Sequence, residues 1–384
     1  MRKFFALLLT IALVALSAGI AWAAPPETVR VLIGFKGLPD AALVHAHGGR
    51  INHIFSLIPV ISAEIPLAAR DALARNPNVA YVEDDGVAHA LGEVEPVVAD
   101  AATDTQTIQW NITKIGADQV WGTTAGAGVN VAILDTGIDV DHPDLKVMGG
   151  INFITPGASY DDDNGHGTHC AGIVAALNNT IGVVGVAPAA NLYAVKVLDA
   201  SGSGSYTAIA QGIEWAVNNG MDVISMSLGG SQTSTTLQQA CDAAYANGVL
   251  LVAAAGNEGK KNTKLDNVSY PAKYDSVIAV AATDINDVRA TFSSTGPAVE
   301  VAAPGVSIYS TYFGGGYATM SGTSMACPHV SGLAALVLAA HPSWTNVQVR
   351  EAIDMTCVDL GEVGRDWLYG YGRIWAPGAV NYTK

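Results

Sequence analysis

Three short motifs place an acid, an imidazole and a hydroxyl along this chain in the order Asp, His, Ser. Asp135 lies in AILDTG, His166 in NGHGTH and Ser324 in GTSMACPH. A serine hydroxyl is a weak nucleophile until a base within hydrogen-bond reach takes its proton, and an imidazole that a carboxylate orients is such a base. The motifs therefore predict attack on a carbonyl carbon by Ser324, with His166 as the base and Asp135 holding the imidazole.

Each of these residues also has a simpler interpretation. Taken alone, Ser324 could be a helix cap, and Asp135 could be a cap or a turn residue. His166 and His169 are three positions apart, whereas the helical zinc protease motif separates its histidines by four and places a Glu between them. An EF-hand loop that began at Asp161 would put glycines where oxygen ligands are needed. We therefore expect the aspartates of this segment to form an acidic rim of a cleft.

The three motifs resemble those of the subtilisin-like serine proteases, the subtilases, and the resemblance extends from Val29 to about Val380. It implies a secreted serine endopeptidase that hydrolyses peptide bonds through an acyl-enzyme and is made as an autoprocessed zymogen. The match covers eleven residues from Gly322 to Gly332, which argues against a mere helix cap. The resemblance also implies that His169 is structural and that Asn257 donates to the oxyanion, with an asparagine in a turn as the alternative.

The same resemblance assigns a peptide-binding region. Extended polypeptide substrates would pair as added strands with two segments, which contain Ser227, Leu228, Gly229, Gly202 and Gly204. Ser269 would form the floor of the first specificity pocket, and since it is not an acid, no strong preference for Arg or Lys is expected. The Tyr270–Pro271 bond would be cis.

A structural calcium site is implied as well. Its ligands would be Asp144, Leu177, Asn179, Ile181, Val183 and Gln106. Carboxylate, amide and carbonyl oxygens suit a hard cation such as calcium. An asparagine-rich surface turn would explain the loop at 177–183 alone, but it would not explain the pairing of this loop with Asp144.

Apolar runs alternate with helical stretches from Trp110 onward. The runs predict strands over 129–134, 192–197, 223–226, 249–254 and 277–281, and the spacing predicts helices over 168–177, 206–219, 235–247 and 324–341. Such alternation indicates an α/β fold in which a parallel sheet is covered by helices on both faces. Asp135 and Asn257 follow predicted strands, at the edge where such sheets bind ligands.

The chain before this region predicts further segments. The division is a signal peptide at 1–23, an inhibitory propeptide at 29–91, a linker at 92–107 and a catalytic domain at 108–384. The first segment has the basic, apolar and small-residue parts of a cleavable secretory signal. A retained membrane anchor is the alternative, because about 20 apolar residues could span a bilayer.

The propeptide segment predicts a strand over 29–35, half-buried or at a sheet edge, a helix over 67–76 and a strand over 79–85. This small α+β, ferredoxin-like unit resembles the propeptide of subtilases, which acts as intramolecular chaperone and inhibitor. The linker is expected to be exposed and without strands, and autocleavage is expected near its start, at Leu91–Gly92.

Composition limits the partners. The net charge is −15. Basic and acidic residues are equal in number up to Leu91, so the whole excess of acidic residues lies after Leu91. This argues against nucleic acid, whose phosphates need basic contacts, and fits an extracellular protein that binds cations. The four cysteines, at 170, 241, 327 and 357, suit neither a dense disulfide framework nor a CxxC zinc site. We expect buried thiols, with a Cys170–Cys327 disulfide as the alternative.

We expect a monomer that acts on polypeptides, is inhibited by its own propeptide and has no membrane association after signal removal. Two functional alternatives stay open at this point. One is a non-enzymatic, calcium-dependent adhesion or scaffolding protein on the same fold. The other is a processing protease with a narrow set of substrates.

Overall fold

The computed structural model describes residues 27–94, 105–261 and 264–383. The predicted signal at 1–23 and most of the predicted linker lie outside these ranges. The described residues form a small N-terminal unit and a larger α/β unit, and a short extended segment joins the first to the cleft of the second.

The N-terminal unit is a four-stranded antiparallel sheet with two short helices. Its elements are β1 (Thr28–Phe35), α1 (Ala41–Ala46), β2 (Arg50–Ile54), β3 (Val60–Pro66), α2 (Arg70–Ala74) and β4 (Val79–Asp84), with the strand order β2-β3-β1-β4. Instead of one helix over 67–76, a 3-10 turn at Leu67–Ala69 precedes α2. The strand predicted at an edge or half-buried, β1, is central and pairs on both sides.

Both faces of this small sheet are covered. Val31, Ile33 and Ile61 pack with the helices in the unit's own core. Leu32 and Val60, which point the other way, belong to the core of the larger unit. A unit of this size buries too little apolar surface for high stability alone, so the second face gains part of its burial from the neighbouring unit.

The larger unit contains a seven-stranded parallel sheet. Its elements follow β5 (Val87–Ala90) and β6 (Glu93–Val94) of the joining segment, and they are α3 (Trp110–Ile115), β7 (Asn130–Asp135), β8 (Val147–Asn152), α4 (His166–Ala175), β9 (Asn191–Lys196), β10 (Ser203–Ser205), α5 (Tyr206–Asn218), β11 (Val223–Met226), β12 (Leu228–Gly229), α6 (Thr235–Ala246), β13 (Leu250–Ala254), β14 (Val277–Thr283), β15 (Val299–Pro304), β16 (Ile308–Tyr312), β17 (Gly316–Ser321), α7 (Thr323–Ala340), α8 (Asn346–Met355) and α9 (Ala376–Val380). The strand order is β15-β14-β13-β11-β7-β9-β8.

Alternate residues of each strand face opposite layers. In β7, Val131 and Ile133 pack in the core with α4 and α7, whereas Ala132 and Leu134 pack in the core with α5 and α6. The predicted α/β fold with helices on both faces of a parallel sheet is therefore confirmed.

Helix α7 passes through the core and contains Pro328. Among the described residues it is the one helix long and apolar enough to cross a membrane, but 83% of that stretch is buried in the protein. Pro328 is the sixth residue of the helix, beyond the first turn in which a missing N–H costs nothing. It leaves the carbonyl of Ser324 without its helical donor. Side chains supply the bonds instead, because Ser227 Oγ donates to this oxygen at 2.8 Å and Cys170 Sγ donates at 3.5 Å.

Candidate active site

The ends of three elements bring the candidate acid, base and hydroxyl to one side of the sheet. Asp135 ends β7, His166 begins α4, and Ser324 is the second residue of α7. His166 Nδ1 lies 2.8 Å from Asp135 Oδ1. The Asp135 carboxylate is fully buried and also accepts a hydrogen bond from Thr136 N at 2.7 Å. The pair is therefore held in one geometry and shielded from water.

The neighbouring carboxylate raises the pKa of His166. Burial alone would lower it, since a dry site disfavours the charged ring, but the charge of Asp135 outweighs burial and the pKa lies well above its ordinary value of 6.5. By contrast, burial lowers the pKa of His169 to about 3. His169 is neutral, and its Nε2 lies 3.1 and 3.0 Å from the carbonyl oxygens of Ile308 and Ala318.

The start of α4 is held by Asp162. Its carboxylate accepts hydrogen bonds from Gly165 N at 3.0 Å, Thr168 N at 2.9 Å and Thr136 Oγ1 at 2.8 Å. Only 7% of Asp162 is exposed. The expectation of an acidic rim is wrong for this residue, because its carboxylate is buried where it accepts hydrogen bonds from the free N–H groups of the helix start.

Ser324 Oγ is not hydrogen-bonded to the candidate base in the described contacts. The hydroxyl donates to the carbonyl of Ser227 at 2.8 Å and accepts from Leu91 N at 3.1 Å. His166 Nε2 is buried and has no hydrogen-bond partner within the described part of the chain. Cys170 Sγ lies 4.0 Å from His166 Nδ1 and 3.5 Å from the Ser324 carbonyl, so the two residues flank one thiol.

The intact Leu91–Gly92 peptide lies between these groups. Asn257 Nδ2 donates to the Leu91 carbonyl oxygen. A Cβ built on Gly92 would lie 3.0 Å from His166 Nε2. Asn257 Oδ1 accepts from Thr323 N at 3.0 Å and Thr323 Oγ1 at 2.9 Å, which fixes the direction of the amide. The peptide bond is thus flanked by a hydroxyl, an imidazole and an amide donor.

The chain before this bond forms the middle strand of a three-stranded sheet. Strand β5 pairs antiparallel with β10 on one side and with β12 on the other. Ala90 N donates to Gly202 O at 2.9 Å, and Leu91 N is 3.3 Å from Ser227 O. The two segments assigned to peptide binding therefore both hold an extended chain.

At two positions of these segments, neighbouring atoms leave no room for a side chain. A Cβ on Gly204 would lie 2.0 Å from the carbonyl of Val197, and one on Gly229 would lie 2.7 Å from the Leu91 side chain and 2.8 Å from Ser269 Cβ. Gly229 therefore lies close to both the Leu91 side chain and Ser269. The predicted cis bond at Tyr270–Pro271 is confirmed.

The chain after Gly92 is also paired. Strand β6 pairs with β17 through Glu93 opposite Ser321 and Val94 opposite Met320. The expectation of a linker without strands is wrong at these two residues, because the edge of β17 supplies backbone partners that a sequence pattern does not show.

Comparison with known proteins identifies the family. The family model described as the subtilase family matches residues 126–372. M-protease from Shouchella clausii is 44% identical over 384 residues, which cover 96% of this chain and 95% of that protein. Subtilisin E from Bacillus subtilis is 44% identical over 377 residues, which cover 96% and 94% of the two chains. A thermostable alkaline protease from Halalkalibacterium halodurans is 44% identical over 331 residues, or 86% and 85%.

The chain is a subtilase. It is a serine endopeptidase of the subtilisin type, and polypeptides are its substrates. The alternative of a non-enzymatic scaffold on this fold is thereby removed.

The candidate cation ligands of this subtilase converge at the far end of α4. The Gln106 side-chain nitrogen donates to Leu177 O at 2.7 Å and Val183 O at 3.1 Å, and lies 3.4 Å from Asn179 Oδ1. The Asp144 carboxylate accepts from Asn179 Nδ2 at 2.7 Å.

The oxygens of Leu177, Asn179 and Val183 thus surround the Gln106 amide group, next to the Asp144 carboxylate. A flip of the amide would turn its own oxygen toward the same point. A set of oxygen ligands of this kind fits a hard cation. Burial raises the pKa of Asp144, and the hydrogen bonds from Val183 N, Asn179 and Tyr317 offset only part of this effect. No hydrogen bond brings the Ile181 carbonyl into this group among the described contacts, so its part remains a prediction.

The four cysteines are free thiols, and the alternative of a Cys170–Cys327 disulfide is wrong. Cys170 Sγ donates to Ser324 O and Cys327 Sγ donates to Val252 O, both at 3.5 Å. Three thiols are buried, while Cys357 is only partly buried.

Sequence reasoning missed the residues that position the main groups. Thr323 belongs to the motif that carries Ser324, and Asp162 lies two residues before the motif that carries His166. The available signal was a hydroxyl or carboxylate beside a predicted helix start. Glu214, which contacts the N-terminal unit, gave no signal, because it lies on the polar side of an ordinary amphipathic helix.

Proposed function

We propose that this subtilase is a secreted zymogen that cuts its own Leu91–Gly92 bond with Asp135, His166 and Ser324, and then hydrolyses other polypeptides by the same steps. One observation carries the proposal: the uncut peptide lies between Ser324, His166 and Asn257, with the chain on each side paired to the larger unit. Residues 1–23 supply the export signal, on sequence grounds alone.

Rotation of the Ser324 side chain from the Ser227 carbonyl toward His166 Nε2 begins the reaction. His166 takes the hydroxyl proton while Oγ bonds to the Leu91 carbonyl carbon, and Asn257 donates to the resulting oxyanion. His166 then gives that proton to the Gly92 nitrogen as the C–N bond breaks, which leaves an acyl-enzyme. A water that His166 deprotonates attacks the Leu91 carbonyl carbon, the bond from that carbon to Ser324 Oγ breaks, and His166 returns the proton to Oγ.

His166 must be neutral to accept a proton. Because its pKa is raised, activity should fall as the pH drops through the His166 pKa, well above 6.5.

Labelling by a fluorophosphonate at Ser324 tests the proposed nucleophile. Profiling with a peptide library separates a broad degrading enzyme from a processing protease with narrow specificity.

Replacing Asn257 with Leu should lower kcat by about 10²- to 10³-fold and leave KM within about threefold. This magnitude was measured for the matching amide of subtilisin, a member of the same family. The Leu side chain fills a similar volume but offers no N–H to the oxyanion. Steady-state kinetics on a peptide substrate measures both constants. An Asn257→Asp variant, which keeps the Thr323 contacts, should lose a similar amount; unchanged kcat in both variants would rule out the oxyanion role.

The N-terminal unit is proposed to be the inhibitory propeptide, and helices α5 and α6 receive it. Glu83 accepts from Ser234 Oγ at 2.7 Å and Thr236 N at 2.9 Å, at the start of α6. Asp85 accepts from Thr207 N at 2.9 Å, at the start of α5. Carboxylates at helix starts are favoured by the free N–H groups and the helix dipole, so these contacts help to direct β5 into the cleft.

Glu214 on α5 forms a further contact with the propeptide. Its carboxylate lies 2.7 Å from His53 Nε2 and accepts from Ser56 Oγ at 2.8 Å and Leu57 N at 2.9 Å. Burial alone would raise the pKa of Glu214, but the hydrogen bond from His53 and those from Leu57 and Ser56 lower it to about 2.

Replacing Glu214 with Gln should weaken inhibition by a peptide of residues 27–91 about 10- to 100-fold, because hydrogen bonds to a charged group each contribute about 1.5–3 kcal/mol. The inhibition constant measured on mature enzyme reports this. Because the pKa of Glu214 is depressed in the complex, its charged form stabilises the complex above pH 4.5. This contribution is lost as the pH falls towards 2. The wild-type complex should therefore weaken over that range more than the Gln variant does, as measured by calorimetric binding of the peptide to mature enzyme, since hydrolysis itself is lost at such pH. Glu362→Gln, at an exposed ion pair with Lys264, is the matched control, and equal inhibition of all three proteins would contradict the proposed anchor.

The group of oxygens around Gln106 is proposed to hold a structural calcium ion, with Asp144, Asn179 and the carbonyls of Leu177, Ile181 and Val183. When bound, the ion would neutralise the Asp144 charge and tie the 177–183 loop to the chain near residue 106. It supplies no step of the hydrolysis.

A further inference from the structure

Two docked segments coexist in the uncut chain. Leu91–Gly92 is held at Ser324 and Asn257, and Gln106 is at the same time fixed on the candidate calcium loop. The second attachment uses backbone as well as side chain, since Gln106 N donates to Thr180 O at 2.9 Å and Thr107 N donates to Gly182 O at 2.8 Å. Neither segment displaces the other.

The spacing along the sequence explains why both can form. Helix α4 begins at His166, beside Gly92, and ends just before the loop at 177–183. Its ten residues span about 15 Å at 1.5 Å per residue. Fourteen positions separate Gly92 from Gln106, and an extended chain of that length reaches about 45 Å. The intact precursor therefore has ample chain to reach the loop.

The other contacts of the candidate calcium ligands do not involve the Leu91–Gly92 bond. Asp144 Oδ2 accepts from Val183 N at 3.1 Å and from Tyr317 OH at 3.1 Å, and Asn179 Oδ1 accepts from Ile181 N at 2.7 Å. These contacts all lie within the larger unit. Breaking Leu91–Gly92 removes none of them and adds none.

We propose that the calcium site is already complete in the uncut precursor, so that calcium binds before autocleavage as tightly as after it. This inference rests on the calcium site proposed above and adds the order of events. Because a ligand that binds the folded form stabilises it by mass action, calcium stabilises the catalytic unit while the propeptide is still covalently attached. Maturation then changes access to the cleft and leaves the cation site unaltered.

Calorimetric titration with calcium compares two forms of the whole protein: the Ser324→Ala precursor, which stays uncut, and mature enzyme inactivated with a fluorophosphonate. We expect their dissociation constants to agree within about threefold. Gln106→Ala should weaken binding by both forms equally, by about tenfold or more, as is typical for losing one contact in a metal site. Gln109→Ala, three residues along, should leave both constants unchanged, since the Gln109 side chain is bonded only to Thr107 in the described contacts.

A shortened chain provides the second test. Deleting residues 95–104 in the Ser324→Ala precursor leaves Gln106 four positions from Gly92, a reach of about 14 Å at most. That precursor should bind calcium as weakly as the Gln106→Ala form. Tight binding by mature enzyme together with binding at least tenfold weaker by the full-length precursor would overturn the inference alone, as would unchanged binding in the deletion variant. Absence of binding in both forms, or no effect of Gln106→Ala, would instead refute the proposed site itself.

Discussion

A Ser324→Ala precursor is expected to remain a single uncut chain and to lose hydrolytic activity by about 10⁶-fold. The magnitude is that known for removing the nucleophile of subtilisin, a member of the same family. The reason lies in the contacts of Ser324, since its Oγ is within 3.1 Å of Leu91 N and no other described hydroxyl is hydrogen-bonded to Leu91. Without Oγ, no bond to the Leu91 carbonyl carbon can form, and Asn257 holds a substrate that does not react.

Three measurements check this result: intact mass of the purified protein, fluorophosphonate labelling and casein zymography. Active enzyme should yield a mature chain that begins at Gly92 or, after trimming, within 92–107. Ser343→Ala, at an exposed serine after α7, should process and label as the native sequence does. Cleavage at Leu91–Gly92 in purified Ser324→Ala protein, or labelling of that protein, would remove Ser324 from the mechanism.

Replacing Asp135 with Asn should reduce kcat by about 10⁴-fold at neutral pH, a magnitude known for this carboxylate in other serine proteases, subtilisin included. KM should change little, since in the described contacts the Asp135 carboxylate is hydrogen-bonded to His166 and Thr136 and to no residue of the docked peptide. An amide of the same shape can present an N–H to His166 Nδ1, which then holds the ring in a tautomer that cannot take the Ser324 proton from Nε2.

The pH profile gives the Asp135→Asn experiment a second readout. The Asp135 charge raises the pKa of His166, so its removal should move the acidic limb of kcat to lower pH. Asp242→Asn, on the exposed side of α6, should leave both kcat and the limb unchanged. A loss below about tenfold, or an acidic limb that stays in place, would contradict the role given to Asp135.

The sequence contained enough information for the family, the fold and the main strands of the sheet. The strands at 192–197 and 223–226 are mostly apolar, interrupted only by Lys196 and Ser225, because both of their faces are covered, and the structure has β9 and β11 there. Two strands of the seven-stranded sheet were not predicted. β8 contains two glycines and lies at the sheet edge, and β15 contains Glu300, which is buried only because Arg350 pairs with it at 2.5 Å.

Side-chain orientation lay beyond sequence reasoning. The motifs predict that Asp135, His166 and Ser324 meet, but they do not indicate that the Ser324 hydroxyl turns toward Ser227 when a peptide occupies the cleft. The tolerance of Pro328 within α7 lies beyond sequence reasoning for a similar reason. A local rule about helix starts cannot include a hydroxyl and a thiol from other elements that bond to the freed carbonyl.

Strand β5 occupies a gap between two strands of the enzyme, and its departure leaves β10 and β12 with facing, unpaired edges. Their backbone groups are then satisfied by any extended chain of about five residues, whatever its side chains. A native globular substrate offers such a stretch only in a loose loop or after partial opening. The rate of digestion of intact proteins should therefore follow the opening equilibrium of the substrate itself, so that denatured proteins are degraded far faster than folded ones of the same sequence.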